Sequence, residues 1–195
     1  MTMNGTGELA GQVALVTGGA RRIGRAIALA LAHQGATIVV NAKTSREEAE
    51  DTVREIKALG GTARAMLADV TDEAAVAGMV GAVDRDLGGV DILINNAAIR
   101  REETFTDISL AEWHAIMAVV LDGAFLCSRA VIPGMLAKGS GSIVNIGGVT
   151  AHVGATRRAH VLAAKAGLVG FTKALAVEYG HAGICLLYTS DAADE

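Results

Sequence analysis

Residues 12–24 read Gln12-Val-Ala-Leu-Val-Thr17-Gly18-Gly19-Ala20-Arg21-Arg22-Ile23-Gly24. A short apolar run that ends at Thr17 reads as a buried strand. Gly18 and Gly19 open a tight turn, and Gly24 falls early in a helical pattern made by Ile23, Ala26, Ile27, Ala30 and Leu31. A strand passing through a glycine turn into a helix aims backbone N–H groups and the positive end of a helix dipole at one point, which suits a phosphate. Glycines also serve ordinary turns, so the rest of the chain has to decide.

Working outward, strands and helices alternate. Val13–Val16 is the first predicted strand and Ile23 to about His33 the first helix, closed by Gly35. Further strands are expected at Ala36–Asn41, Ala63–Ala68, Val90–Ile94 and Ser142–Ile146. Ser45 with Glu48, and Ser109 with Glu112, have the spacing of helix capping boxes, and Thr71 stands as a cap before Asp72 and Glu73. Gly60-Gly61 and Gly88-Gly89 stop the second and third helices, Pro133 lies near the end of the long one, and the last covers about Arg158–Tyr179. Nearly continuous apolar strands separated by helices predict an α/β fold: one Rossmann-like, doubly wound parallel sheet with helices on both faces.

Composition narrows the function. The 195 residues suit one domain. Net charge is −4 with no basic block, which speaks against nucleic acid. No unbroken apolar run reaches the length of a membrane span, although 51% of residues are hydrophobic. Two cysteines, Cys127 and Cys185, suggest no disulfide framework and fit a reducing cytosol, so a cytoplasmic location is expected. The five histidines lack metal-ligand spacing, and no metal is expected.

The chain resembles the short-chain dehydrogenases/reductases from about Gly11 to Ile184. Four landmarks appear in order: Thr17 through Gly24, Asp69-Val70, Asn95-Asn96-Ala97-Ala98, and Lys165-Ala166-Gly167. The resemblance implies a dinucleotide cleft. Thr17, Gly18, Arg21, Arg22, Ile23 and Gly24 would form its phosphate turn. Asp69 and Val70 would face the adenine, Asn95 and Ala97 would line the cofactor, and Lys165 would hold the nicotinamide ribose. Arg22 stands where the family usually has Gly or Ala, a variation of pteridine-reductase-like branches.

Charge argues for the cofactor. An NAD site usually has an acid at the end of the second strand, whereas an NADP site removes it and supplies cations. Here that strand ends at Asn41, with Lys43 and Ser45 following and Arg21 within reach from the turn. NADP(H) is therefore expected over NAD(H), unless Arg21 and Lys43 are merely solvated surface.

The catalytic landmarks read differently. The resemblance implies hydride transfer between a nicotinamide and a carbonyl or alcohol, served by a Tyr, a Lys, a Ser and an Asn. Lys165 is present, but Val161 stands at the tyrosine position, Gly148 at the serine and Val120 at the asparagine. Both tyrosines, Tyr179 and Tyr188, follow Lys165 in sequence. A positioned general acid contributes roughly 10²–10⁴-fold, so the usual mechanism is not supported. Thr150 (two residues past Gly148 on a continuing strand) and His160 are candidate substitutes; His152 and His160 also read as loop or interface residues. Arg157 and Arg158 read either as anion ligands or as a solvated helix start. Either an NADP-dependent oxidoreductase with impaired or non-standard catalysis, or a non-catalytic NADP-binding sensor or partner subunit, fits these residues.

Cys185–Glu195 reads like a translated sequencing adapter, which divides the chain into a Rossmann domain over 1–184 and a non-native tail over 185–195. The expectation is a fragment whose sheet is incomplete at its C-terminal edge, although Ile184–Thr189 is apolar enough to occupy a sixth-strand slot. By resemblance the full-length protein is a homodimer or homotetramer acting on a small molecule.

Overall fold

The computed structural model describes residues 7–189. Six parallel strands form one sheet: β1 (Val13–Val16), β2 (Thr37–Ala42), β3 (Ala63–Leu67), β4 (Ile92–Asn95), β5 (Gly141–Ile146) and β6 (Ile184–Thr189), in the order β3-β2-β1-β4-β5-β6. The connecting helices are α1 (Arg22–His33), α2 (Arg46–Ala58), α3 (Glu73–Leu87), α4 (Leu110–Met117), α5 (Gly123–Lys138), α6 (Thr150–Val153) and α7 (Ala159–Tyr179).

Alternation along the strands explains why both faces need helices. In β1, Ala14 and Val16 join a core with Ala28, Ala32, Val53 and Ile56 of α1 and α2. Val13 and Leu15 point the other way, into a core with Val76, Val80, Val131 and Met135 of α3 and α5. Every residue of β1 and β4 is buried, as expected of central strands covered on both sides. Chain order reverses between β1 and β4. Such a switch point leaves a crevice beyond the carboxyl ends of the strands.

Several local expectations need correction. Thr71 does not cap α3: its amide and hydroxyl donate to Asp69 Oδ1, at 3.0 and 2.8 Å. Asp72 is the cap, accepting from Ala75 N at 3.0 Å. Ser45 stands at the start of α2 but makes no side-chain capping bond; Glu48 instead faces Arg21 at 3.6 Å. Ser109 does cap α4, accepting from Glu112 N at 3.1 Å. Thr150 does not continue β5, which ends at Ile146; it begins the short helix α6. The long helix is broken by a π-helical stretch, Ala118–Asp122.

The slot beside β5 is filled. β6 pairs with β5 in parallel from Gly141↔Ile184 to Ile146↔Thr189, so β5 is not an exposed edge. Residues 190–195 of the expected tail lie outside the described residues. The segments Leu110–Lys138 and Ala159–Ala182 are long and apolar enough to cross a membrane by length and composition, with mean hydropathy 1.9 and 1.3. Here α5 packs on α3 and the sheet, and α7 on α4 and β6.

Candidate functional site

A cleft of about 780 Å³ opens at the switch point. One wall is the turn from β1 into α1. Gly18 has φ +60°, and a Cβ there would sit 3.2 Å from Ala97. A Cβ on Gly24 would stand 2.3 Å from the Gly18 carbonyl oxygen and 2.5 Å from Asn96 Nδ2. Only glycine lets α1 approach its own turn so closely. α1 has no acid in its first turn and no side-chain cap, so its positive end meets the cleft unopposed. Arg22 takes a left-handed φ of +50°, which costs a residue with a Cβ about 1 kcal/mol.

Thr17 lies beneath the cleft rather than lining it. Its hydroxyl donates to the Ile94 carbonyl at 3.1 Å and accepts from the amides of Asn96 and Ala97, at 2.9 and 3.1 Å. Asn96 Nδ2 donates back to the carbonyls of Thr17 and Gly18, at 2.9 and 3.2 Å. Thr17 and Asn96 thus lock the ends of β1 and β4 together and fix the glycine turn. Asn95 is also turned inward: Nδ2 donates to Asn145 Oδ1 at 2.8 Å and Ser128 Oγ at 3.2 Å. Asn145 Nδ2 reaches Thr172 Oγ1 at 2.8 Å. This buried chain ties β4, β5, α5 and α7 together. Sequence reading missed Asn145, Ser128 and Thr172, because nothing local marks them.

At the β2 end, Asn41, Lys43, Ser45, Asp69 and Val70 line the cleft. Asn41 is buried, and its amide donates to the carbonyls of Ala68 and Met66, at 3.0 and 3.3 Å. A carboxylate could not make those bonds. Lys43 Nζ lies 2.6 Å from Asp69 Oδ2. Burial raises the Asp69 pKa, but the hydrogen bonds from Lys43 and Thr71 and the Lys43 charge outweigh it, leaving the carboxyl below its ordinary value.

The turn residues Gly18, Arg21, Arg22, Ile23 and Gly24 and Ala97 after β4 also line the cleft, as do Val161 and Lys165 of α7. Lys165 Nζ donates to the Gly147 carbonyl at 2.5 Å. Val161 and Val120 pack with Ile116, Ala164 and Leu168 in an apolar cluster. The candidate substitutes stand apart from the cleft wall. Thr150 and His160 are not among its lining residues. His160 is fully buried, 3.9 Å from Glu112 and without a hydrogen-bond partner on either ring nitrogen. Tyr188 comes back in space: Gly148 N donates to its hydroxyl at 3.4 Å, and its ring lies against Gly147. It too lies outside the cleft lining.

A doubly wound sheet with a glycine-turn cleft at its switch point and a lysine in the cleft wall defines a dinucleotide-binding oxidoreductase fold. A profile of the short chain dehydrogenase family matches residues 12–188, and the chain belongs to that family. It is 41% identical over 171 residues to a 3-oxoacyl-(acyl-carrier-protein) reductase of Staphylococcus aureus, covering 88% of this chain and 70% of that one. The corresponding reductase of Synechocystis sp. is 42% identical over 176 residues, covering 90% and 71%. A solved structure described as a putative short-chain alcohol dehydrogenase from Sinorhizobium meliloti superposes with TM-score 0.88 at 38% identity, covering 92% of this chain and 71% of its own.

Proposed function

We propose that the chain is an NADP(H)-binding short-chain oxidoreductase whose carbonyl–alcohol chemistry is impaired. The carrying observation is the division of one cleft. The glycine turn and Lys165 line it, whereas the positions where the family's Asn and Tyr are expected hold Val120 and Val161, closed into an apolar cluster. A bound nicotinamide would supply or accept the hydride. The residues that fit it are the turn Gly18–Gly24, where glycine lets α1 start close to β1 and brings its N-terminus to the cleft, and Lys165, which would hold the ribose. Arg21 and Lys43 are the cations for a 2′-phosphate. In the described structure they rest against Glu48 and Asp69, so phosphate binding exchanges one anion for another.

Proton transfer is what the arrangement lacks. Neither valine nor glycine carries an exchangeable side-chain proton, and neither the buried His160 nor Thr150 at the start of α6 lines the cleft. A non-catalytic sensor or partner subunit is the second reading, favoured by the packing of Val120 and Val161 in one apolar cluster. Titrating NADPH and NADH by fluorescence while assaying ketone reduction tests the cofactor and the impairment together. Tight NADPH binding with background turnover is expected. Equal NADH binding would overturn the cofactor reading, and family-typical turnover would overturn the impairment.

A further inference from the structure

His160 is the second residue of α7. It is fully buried, and neither of its ring nitrogens has a hydrogen-bond partner. A neutral imidazole carries one donor and one acceptor, so leaving both unpaired inside a fold is costly. Among the described residues, the acid within ion-pair distance of the ring is Glu112 of α4, whose Oε1 stands 3.9 Å from His160 Nε2. The same oxygen stands 3.8 Å from Arg101 Nε. Both separations exceed a hydrogen bond. One carboxylate oxygen therefore lies between a buried base and a cation, bonded to neither. Arg101 belongs to the loop after β4, and Asn96 through Arg101 line the cleft.

We infer that Glu112 is a pH-operated latch on the cleft wall: it holds Arg101 and its loop while His160 is neutral, and turns to His160 and releases the loop when the imidazole takes up a proton. An imidazolium has two N–H donors and no acceptor, so protonation turns the unpaired ring into a group that demands an anion. The Arg101 side chain is 64% exposed and that of Glu112 23%. Attraction to the exposed guanidinium is screened by water and salt, whereas attraction to a buried imidazolium is screened much less. Histidine is also the side chain whose ordinary titration falls between pH 5 and 8. The other charged and titratable groups around the start of α7 are engaged or face solvent. Glu102 and Glu103 of the loop face Arg158 and Arg157. Lys165 donates to the Gly147 carbonyl. His152 of α6 lies edge-on to Tyr188 of β6. His114 of α4 and Asp122 of the π-helical stretch are exposed. When Arg101 lets go, the loop stays anchored to α7 through the Glu103 amide on the Arg157 carbonyl, at 2.8 Å, and loses its tie to α4. The latch does not depend on which cofactor binds.

The test uses the 195-residue chain and two readouts. The first follows protonation of the His160 ring by NMR between pH 8 and 5.5, with the resonance assigned by its loss in His160→Gln. Glu112→Gln should make the ring protonate about tenfold less readily, because the receiving charge is gone. Arg101→Met, which removes the competitor, should make it protonate about threefold more readily. The second readout is amide hydrogen exchange of the loop 97–104, corrected for the intrinsic effect of pH. Exchange should be about threefold or more faster at pH 5.5 than at pH 8 in the parent. It should be fast at both values in Arg101→Met and Glu112→Gln, and slow at both in His160→Gln. A ring that stays neutral to pH 5.5, a titration unmoved by Arg101→Met, equal loop exchange at the two pH values, or loss of the parental circular dichroism at pH 5.5 overturns the inference. If His160→Gln does not fold, the ring is assigned through its backbone correlations and Arg101→Met, a change at an exposed side chain, decides.

Discussion

The two ends of the cleft were built under different rules. At the β1–α1 end, backbone geometry does the work. Gly18 and Gly24 leave no room for a side chain, and Thr17 and Asn96 clamp the turn to β4. At the β5–α7 end, side chains would have to do the work, and there Val120 and Val161 lie in an apolar cluster with Ile116 and Leu168. Binding sites made of backbone survive substitution around them, while proton chemistry depends on a few side chains that two or three changes remove. Buried valines also stabilise, each by about 1.5 kcal/mol or more, so a polar side chain put in place of either should cost stability.

The sharpest way to break this comparison is at Gly24. Gly24→Ala drives a Cβ into the Gly18 carbonyl and should cost about 3 kcal/mol and abolish NADPH binding, read by urea unfolding and fluorescence. Gly78→Ala in α3, where a Cβ meets open space, should instead stabilise by about 0.5–1 kcal/mol. A mild effect at Gly24 would show that the turn is not held by close approach.

The other end should respond in the opposite sense. Val161→Tyr combined with Gly148→Ser should raise ketone turnover by about 10²-fold while lowering stability, because a phenol must enter the apolar cluster. A double variant that folds and binds NADPH but gains nothing would show that more than proton transfer has been lost.

Smaller effects probe the β2 end. Arg21→Ala should weaken NADPH by about tenfold and leave NADH nearly unchanged. Equal losses would place Arg21 on the pyrophosphate shared by both cofactors. Asn41→Asp should not create an NADH enzyme: it replaces the amide that donates to Ala68 and Met66 and should destabilise the fold first, by about 1–3 kcal/mol.

The smallest effect is in pH. The folded Asp69 carboxyl lies below its unfolded value, so the unfolded chain takes up its proton first as pH falls. The Asp69 contribution is therefore full above the ordinary carboxylate range and is lost as pH falls through the depressed value. Asp69→Asn should flatten the acid limb of the stability curve, measured by thermal melting from pH 7 to 3. An unchanged limb would show that the Lys43 contact carries no weight in solution.

Much of the fold was legible because burial writes itself as periodicity. β1 was read at its observed bounds, and β5 and α7 to within one residue. What escaped depends on groups far apart in sequence or on local dihedrals. Thr71 resembled a cap, but Asp69 captured its hydroxyl and the next residue took the role. Thr150 was expected on a strand that in fact ends at Ile146. Tyr188 follows Lys165 by 23 positions, yet the parallel pairing of β6 beside β5 returns it to Gly147 and Gly148. The buried chain from Asn95 through Asn145 to Thr172 joins three elements by side chains that no spacing rule connects.

The π-helical stretch Ala118–Asp122 has a consequence for how the chain tolerates length changes. A π turn holds one residue more than the surrounding helix needs, and each residue in a regular helix turns the axis by about 100°. Removing one residue from this stretch would let the backbone relax to ordinary helical bonding while the segments on either side keep their angular phase. The same deletion at Ala130 in α5 would rotate half of that helix out of its contacts with α3. Evolutionary gaps and engineered deletions should therefore be tolerated within 118–122 and rejected only a few turns away.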